Sequence, residues 1–166
     1  MSVETVSDLF EHELEDIYFA EHELIEAYER MAAHADDEEV QQFFEAHASE
    51  TGTHVERLID VFEETGEPPQ TEECEGIEGL LAEWEEFLEE NESGPLMDYY
   101  HLVTAVKTER YEQTAYESLV DLAEQLDRDA AVEILRENLD EDEETIVEIR
   151  SRLDGFDHLA SAASST

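Results

Sequence analysis
The chain has 166 residues, 40% of them hydrophobic, which is enough for one ordinary domain, 1–166, with a packed core. Its 49 Asp and Glu stand against 8 Lys and Arg, a formal net charge of -41, which excludes nucleic acid and anionic membranes as partners. A surface this acidic repels itself unless salt screens it, the Debye length falling to about 3 Å at ~1 M salt, so a halophile's salt-accumulating cytoplasm is expected.

High charge can also mean disorder, but regular apolar seams argue for a folded chain. The first ten residues are acidic and lack the basic-then-apolar order of a leader, and no run approaches the ~18 apolar residues of a membrane span. Cys74 is the single cysteine; it rules out an internal disulfide and a cysteine metal cage, and a free thiol is expected.

The first long helix is expected over 3–33, capped by Ser2 or Ser7. Its seam is Phe10, Leu14, Ile17, Glu21, Leu24, Tyr28 and Met31, in alternating steps of four and three. One acid, Glu21, interrupts the row at its midpoint. The second helix, 38–65, starts from an Asp36 or Asp37 cap and stops at Gly66, before Pro68 and Pro69. The short loop before it makes it antiparallel to the first. Its seam, Val40, Phe43, His47, Glu50, His54, Leu58 and Val61, places three metal-capable residues at consecutive inward positions. Gly52 costs this helix ~1 kcal/mol against Ala and is read as a point of close approach.

A long connection, 67–93, follows, with a short helix over 76–90 on Ile77, Leu80, Leu81, Trp84 and Leu88. It is long enough to cross the molecule, so the next helix can run parallel to the second. That helix, 95–126, has Pro95 in its first turn. Its seam is Leu102, Ala105, Glu109, Glu112, Tyr116, Leu119, Ala123 and Leu126, with two acids side by side in the middle. A tight turn at 127–129 leads to the last helix, 130–153, and a flexible tail, 155–166. The last stripe is Ala131, Ile134, Leu135, Asn138, Leu139, Thr145, Ile146, Ile149 and Leu153. Glu141 and Asp142 both lie at its edge, and periodicity does not choose between them. The expected fold is all-α: a four-helix bundle of two antiparallel pairs, joined by a long crossover carrying a short extra helix.

A carboxylate in a helical core must be protonated, paired or bound to a cation. Glu21, Glu50, Glu109, Glu112 and Glu141 all lie near the middle of their helices. If the helices align, these acids meet at one level, beside His47 and His54. Oxygen ligands with one or two imidazoles suit iron or manganese. Bundles with dinuclear sites draw one Glu from each of two helices and a Glu-x-x-His pair from each of the others. The plainer alternative is that some Glu fall inward by chance or pair with Arg57, Lys107 or Arg110. His12, His22, His34, His101 and His158 are read as structural, and Trp84 and the phenylalanines as core.

Several short stretches carry a resemblance. They are Asp16-Ile17-Tyr18-Phe19-Ala20-Glu21, His47-Ala48-Ser49-Glu50-Thr51 with Glu56-Arg57-Leu58, and Glu109-Arg110-Tyr111-Glu112. Leu122-Ala123-Glu124-Gln125-Leu126, Leu139-Asp140-Glu141, and Cys74 with Glu78-Gly79-Leu80 belong with them. Together they cover all four long helices in order. The chain thus resembles the ferritin-like superfamily, and within it the YciE/YciF-type branch of stress-associated proteins. The resemblance implies a ferritin-like bundle, often dimeric, with an internal metal centre, and it selects Glu141 over Asp142. The sequence departs from the usual ligand register. The second helix offers His47-x-x-Glu50 and Glu50-x-x-x-His54, and the fourth has no His, with Glu144 three residues after Glu141. The expected site is therefore carboxylate-rich.

Two functions are weighed. One is a redox-active or iron-handling protein whose dinuclear iron or manganese centre meets oxygen or peroxide. In it Glu50 and Glu141 bridge or chelate, Glu21, Glu109 and Glu112 complete the shell, and His47 or His54 supplies nitrogen. Tyr18, Tyr28 or Tyr116 then serves as a nearby redox-active side chain. The other is a metal-free or structurally metallated homodimer acting as a stress-response partner.

Overall fold
A computed structural model describes residues 2–157, 159 and 160; His158 and residues 161–166 of the expected tail lie outside the described residues. It holds five helices: α1 (Val6–His34), α2 (Glu38–Thr65), α3 (Glu75–Glu90), α4 (Pro95–Gln125) and α5 (Asp129–Asp154). No strand occurs among the described residues, and no helix there is long and apolar enough to cross a membrane.

The cap of α1 is Thr5 rather than Ser2 or Ser7. The Asp8 N–H donates to Thr5 Oγ1 at 3.1 Å and the Thr5 N–H donates back to Asp8 Oδ2 at 3.0 Å. This reciprocal box satisfies two otherwise free donors, which neither serine does here. Asp37 caps α2 by accepting from the Glu39 and Val40 N–H groups. Gly66 ends α2 at φ 82°, a left-handed conformation that favours glycine.

The four long helices pack pairwise, α1 on α2, α4 on α5, α1 on α4 and α2 on α5, while α3 lies on α4 and α1. Contacts fix the directions. Tyr28 meets Thr108 and Glu21 meets Tyr116, so α1 and α4 are antiparallel. His54 meets Glu141 and Glu50 meets Thr145, so α2 and α5 are antiparallel too. With α1 antiparallel to α2, helices α2 and α4 run the same way, as the long connection allows.

The α1 seam is buried along its whole length, Glu21 included. Trp84 of α3 closes one side of the core and donates its indole N–H to His101 Nδ1 at 2.9 Å. Phe10, Phe43, Phe44 and Phe62 are core residues. Phe19, Phe87 and Phe156 are not: each stays partly exposed, and Phe87 stacks on Tyr100 at the surface.

Gly52 is not a point of close approach, since a Cβ there would meet nothing within 4 Å. The crowded glycine is Gly76, where a Cβ would fall 2.9 Å from Tyr111 Cε2. The Tyr111 hydroxyl donates to Asp16 Oδ2 at 3.0 Å and accepts from the buried Cys74 thiol at 2.9 Å. That contact ties the start of α3 to α1 and α4. Burial pushes the Cys74 thiol up, so it stays protonated and serves as a structural donor.

Candidate metal centre
The seams bring one carboxylate or imidazole from each long helix to a common level. Glu21 of α1, His54 of α2, Glu112 of α4 and Asp142 of α5 are all buried, and each offers a ligand atom within 4.8 Å of the others. His54 Nδ1 lies 3.3 Å from Glu21 Oε1 and 3.6 Å from Asp142 Oδ1. The Tyr116 hydroxyl donates to Glu21 Oε1 at 2.5 Å and accepts from the Asn138 amide at 3.1 Å.

One helical turn away, a second set continues the layer. His47 Nε2 donates to Glu109 Oε1 at 2.6 Å, across the middle of the molecule from α2 to α4. The Tyr28 hydroxyl also reaches Glu109 Oε1, at 3.2 Å, and lies 2.6 Å from Thr108 Oγ1. Glu50 is half-buried; it accepts from the Thr145 hydroxyl at 3.1 Å and lies 3.8 Å from His47 Nδ1.

These groups leave polar capacity unused. Glu21 Oε2, Glu109 Oε2, Glu112 Oε2 and both oxygens of Asp142 are buried with no hydrogen-bond partner. Leaving such an atom unsatisfied costs about 1–3 kcal/mol, more if it is charged. No lysine or arginine relieves them. Lys107 and Arg110 are exposed, and Lys107 lies over the Tyr100 ring instead. Arg57 bonds to Glu141 and Glu137, at the edge of the site.

Protons take the place of a cation. Burial raises the Glu112 carboxyl well above its usual range, and the charges of Glu109, Glu21 and Asp142 raise it further. Asp142 is raised in the same way, by burial and then by Glu109 and Glu21. Burial also raises Glu21, but its hydrogen bond to His54 and the imidazolium charge outweigh that and hold it low. Burial lowers His47, yet Glu109 overcomes this and carries it from 6.5 up to about 10. His54 is raised despite its burial, through Glu21 and then Glu141. Without a cation, then, burial and mutual charge favour the protonated forms of Glu112, Asp142, His47 and His54. A divalent ion would displace those protons and satisfy the free oxygens. Five carboxylates with two imidazoles, hard oxygen donors in the majority, fit iron or manganese better than zinc.

Of the expected ligands, Glu21, His54 and Glu112 meet directly, and Glu109, His47 and Glu50 form the adjoining set. The structure separates Glu141 from Asp142. The Asp142 side chain points into the cluster, whereas Glu141 turns outward, about a third exposed. The Arg57 guanidinium holds both Glu141 oxygens, and His54 Nε2 donates to Glu141 Oε2 at 2.8 Å. Glu141 therefore stands behind His54. It fixes the tautomer so that Nδ1 faces inward, the usual arrangement of a carboxylate behind a ligating histidine. A strict alternation finds Asp142 in the sequence: Ala131, Leu135, Asn138, Asp142, Thr145 and Ile149 step by 4, 3, 4, 3 and 4. Of the tyrosines, Tyr28 and Tyr116 touch cluster carboxylates; Tyr18 packs on His22 and Phe62. His12 pairs with Glu72, while His22 and His34 are exposed.

Residues 5–155 match the family described as "Domain of unknown function (DUF892)", and the chain belongs to that family. It is 35% identical over 150 residues to Protein YciF of Escherichia coli, covering 90% of each chain. The crystal structure of the E. coli stress protein YciF superposes with a TM-score of 0.86 at 33% identity, over 91% of this chain and 96% of that one. YcfI from Rhodopseudomonas palustris superposes with a TM-score of 0.87 at 32% identity, over 90% and 95%.

Proposed function
We propose that this member of the DUF892 family is a ferritin-like four-helix bundle that holds a dinuclear iron or manganese centre. The observation that carries the reading is the set of five buried carboxylate oxygens without partners, on α1, α4 and α5, with His54 of α2 among them. Glu21, His54, Glu112 and Asp142 hold one ion; Glu109, His47 and Glu50 hold the other, with Asp142 beside Glu109. Glu141, expected as a ligand, acts through His54.

When bound, iron or manganese supplies redox chemistry toward oxygen or peroxide. The chain's own residues prepare for it. Tyr116 and Tyr28 orient Glu21 and Glu109 by hydrogen bonds, and burial raises both hydroxyls well above 10, so they stay protonated. The apolar seams above and below the layer keep water out. The description of the E. coli relative as a stress protein supports placing this metal handling in a stress response. The reading includes a cytoplasmic homodimer from a halophile; the net charge of -41 supports the last point.

The double variant Glu109→Gln with Glu112→Gln tests the site, since it keeps shape and removes charge. Bound metal should fall steeply, and the chelator-treated protein should melt at a higher temperature, because two mutually repelling acids leave the core. Unchanged metal content together with destabilisation in chelator would show that the acids serve the fold alone.

A further inference from the structure
Beside the cluster a cleft of about 450 Å³ opens between α2 and α5. Phe43, His47, Glu50, Thr145, Glu148 and Arg152 are among its walls. His47 forms its inner end and is 4% exposed. Its other ring nitrogen is bonded to Glu109, whose second oxygen has no partner. The cleft thus runs from solvent to within one side chain of the buried carboxylates. Other clefts lie elsewhere: one between α1 and α3 beside Trp84, one on α4 and α5 around Val147, and one on α1 and α2 around Ala33. None of these three is lined by a residue of the cluster.

A hydrated cation cannot bind directly to Glu21, Glu109, Glu112 or Asp142, each at most 1% exposed. It needs a donor that faces both water and the interior. Two carboxylates near the site are part-exposed, Glu50 and Glu141, with side chains 35% and 31% exposed. Arg57 covers Glu141 and would repel an arriving cation there. Glu50 has a hydroxyl and the His47 imidazole as partners, and an imidazole, unlike a guanidinium, can itself ligate a cation. Arg152, also in the cleft wall, has its charge engaged there, paired with Glu148 at 3.1 Å and laid over the Phe43 ring at 5.0 Å.

We propose that the α2–α5 cleft is the path by which a divalent cation reaches the buried centre, with Glu50 the carboxylate that takes it from water. The path rests on the metal-centre reading above. Loading proceeds from the cleft to Glu50, then past His47 to Glu109 and Asp142. Its rate therefore depends on the cleft being open, whereas the final affinity does not.

Cobalt(II) uptake followed by stopped-flow absorbance, at high salt, separates the two. Ala46 is exposed and lines the cleft, so Ala46→Trp fills the cleft without touching a ligand. Ala33→Trp puts the same bulk on the α1–α2 face. Ala46→Trp should slow loading on the order of tenfold, as expected when binding must wait for a structural opening. It should reach the same final cobalt content, and Ala33→Trp should load at the rate of the unaltered chain. Equal rates in all three proteins, with normal final uptake, overturn the path and leave the centre standing. No cobalt uptake by the unaltered chain at equilibrium overturns the centre and the path together.

Discussion

Asp98 and Asp142 are buried to the same degree, 1% and 0% exposed, yet they do opposite things. Asp98, in the first turn of α4, accepts the Asp36 N–H at 2.9 Å on one oxygen and the Asp37 N–H at 2.8 Å on the other. It pins the α1–α2 loop and leaves no buried oxygen free. Asp142 has two buried oxygens and no partner for either. The histidines divide by their neighbours instead: His101 Nε2 lacks a partner but the ring lies among Phe44 and Trp84, whereas both His54 nitrogens meet carboxylates. His101 accepts from Trp84, and burial carries it down to about 4, so it is a neutral core residue. His54 lies among carboxylates and is raised. Burial alone does not mark a ligand; unmet hydrogen-bonding capacity beside other unmet capacity does.

The contrast is sharpest in a pair of isosteric changes. Asp142→Asn should lower metal affinity by at least about 100-fold, beyond the usual cost of losing an outer partner. It should also raise the melting temperature of the chelator-treated protein. Asp98→Asn should leave metal affinity alone and cost on the order of 1–3 kcal/mol, because an amide cannot replace both acceptor oxygens. Metal titrations and chemical denaturation of both variants check this, and similar behaviour of the two would break the distinction.

The protonated cluster also sets a pH dependence. The raised pKa of His47 contributes stability that is fully present below pH 6.5 and lost as pH rises through about 10. Glu112 and Asp142, also raised, contribute stability that is fully present below the usual carboxyl range and lost as pH rises toward their folded values. Both shifts have the same sign, so the chelator-treated protein should lose stability between pH 6.5 and 10. Metal must displace these protons, so its binding should tighten over the same window. Melts in chelator beside metal titrations across that range test both slopes. His47→Gln should flatten the stability curve.

Salt acts on the surface instead. With a net charge of -41, cooperative unfolding should be lost below roughly 0.5 M salt, where surface carboxylates are poorly screened. A melting temperature independent of salt would remove the ground for a halophilic origin. The two glycines give the smallest contrast. Gly52→Ala should stabilise by about 1 kcal/mol, the ordinary helix propensity gain, because nothing opposes the new methyl. Gly76→Ala should destabilise, because its methyl meets the Tyr111 ring.

What the sequence discloses follows from helical periodicity. The seams of the first three long helices, including Glu21, His47, Glu109 and Glu112, could be read directly because apolar neighbours above and below fix each face. The broader last stripe, with residues 141 and 142 only ~100° apart around a helix, did not separate Glu141 from Asp142; the resemblance selected Glu141, and packing placed Asp142 inside instead. Of the contacts between distant parts of the chain, only Arg57 was weighed as a partner for an inward acid, and it holds Glu141. Tyr111 against Gly76 and Asp98 under the α1–α2 loop also join residues far apart in sequence, and no local pattern discloses them. Thr5 was missed for a local reason: Asp8 completes its box, and a box outweighs a serine one turn away.

The most direct measurement is elemental analysis of the chain loaded with iron or manganese and desalted at high salt, beside Asp142→Asn treated identically. The account predicts about two ions per chain for the unaltered protein, the number a dinuclear centre holds, and a loss of at least about half in the variant. Fewer than about 0.2 ions per chain in the unaltered protein would contradict it and leave the buried acids as groups the fold holds with protons and with the His47 and His54 imidazoles alone.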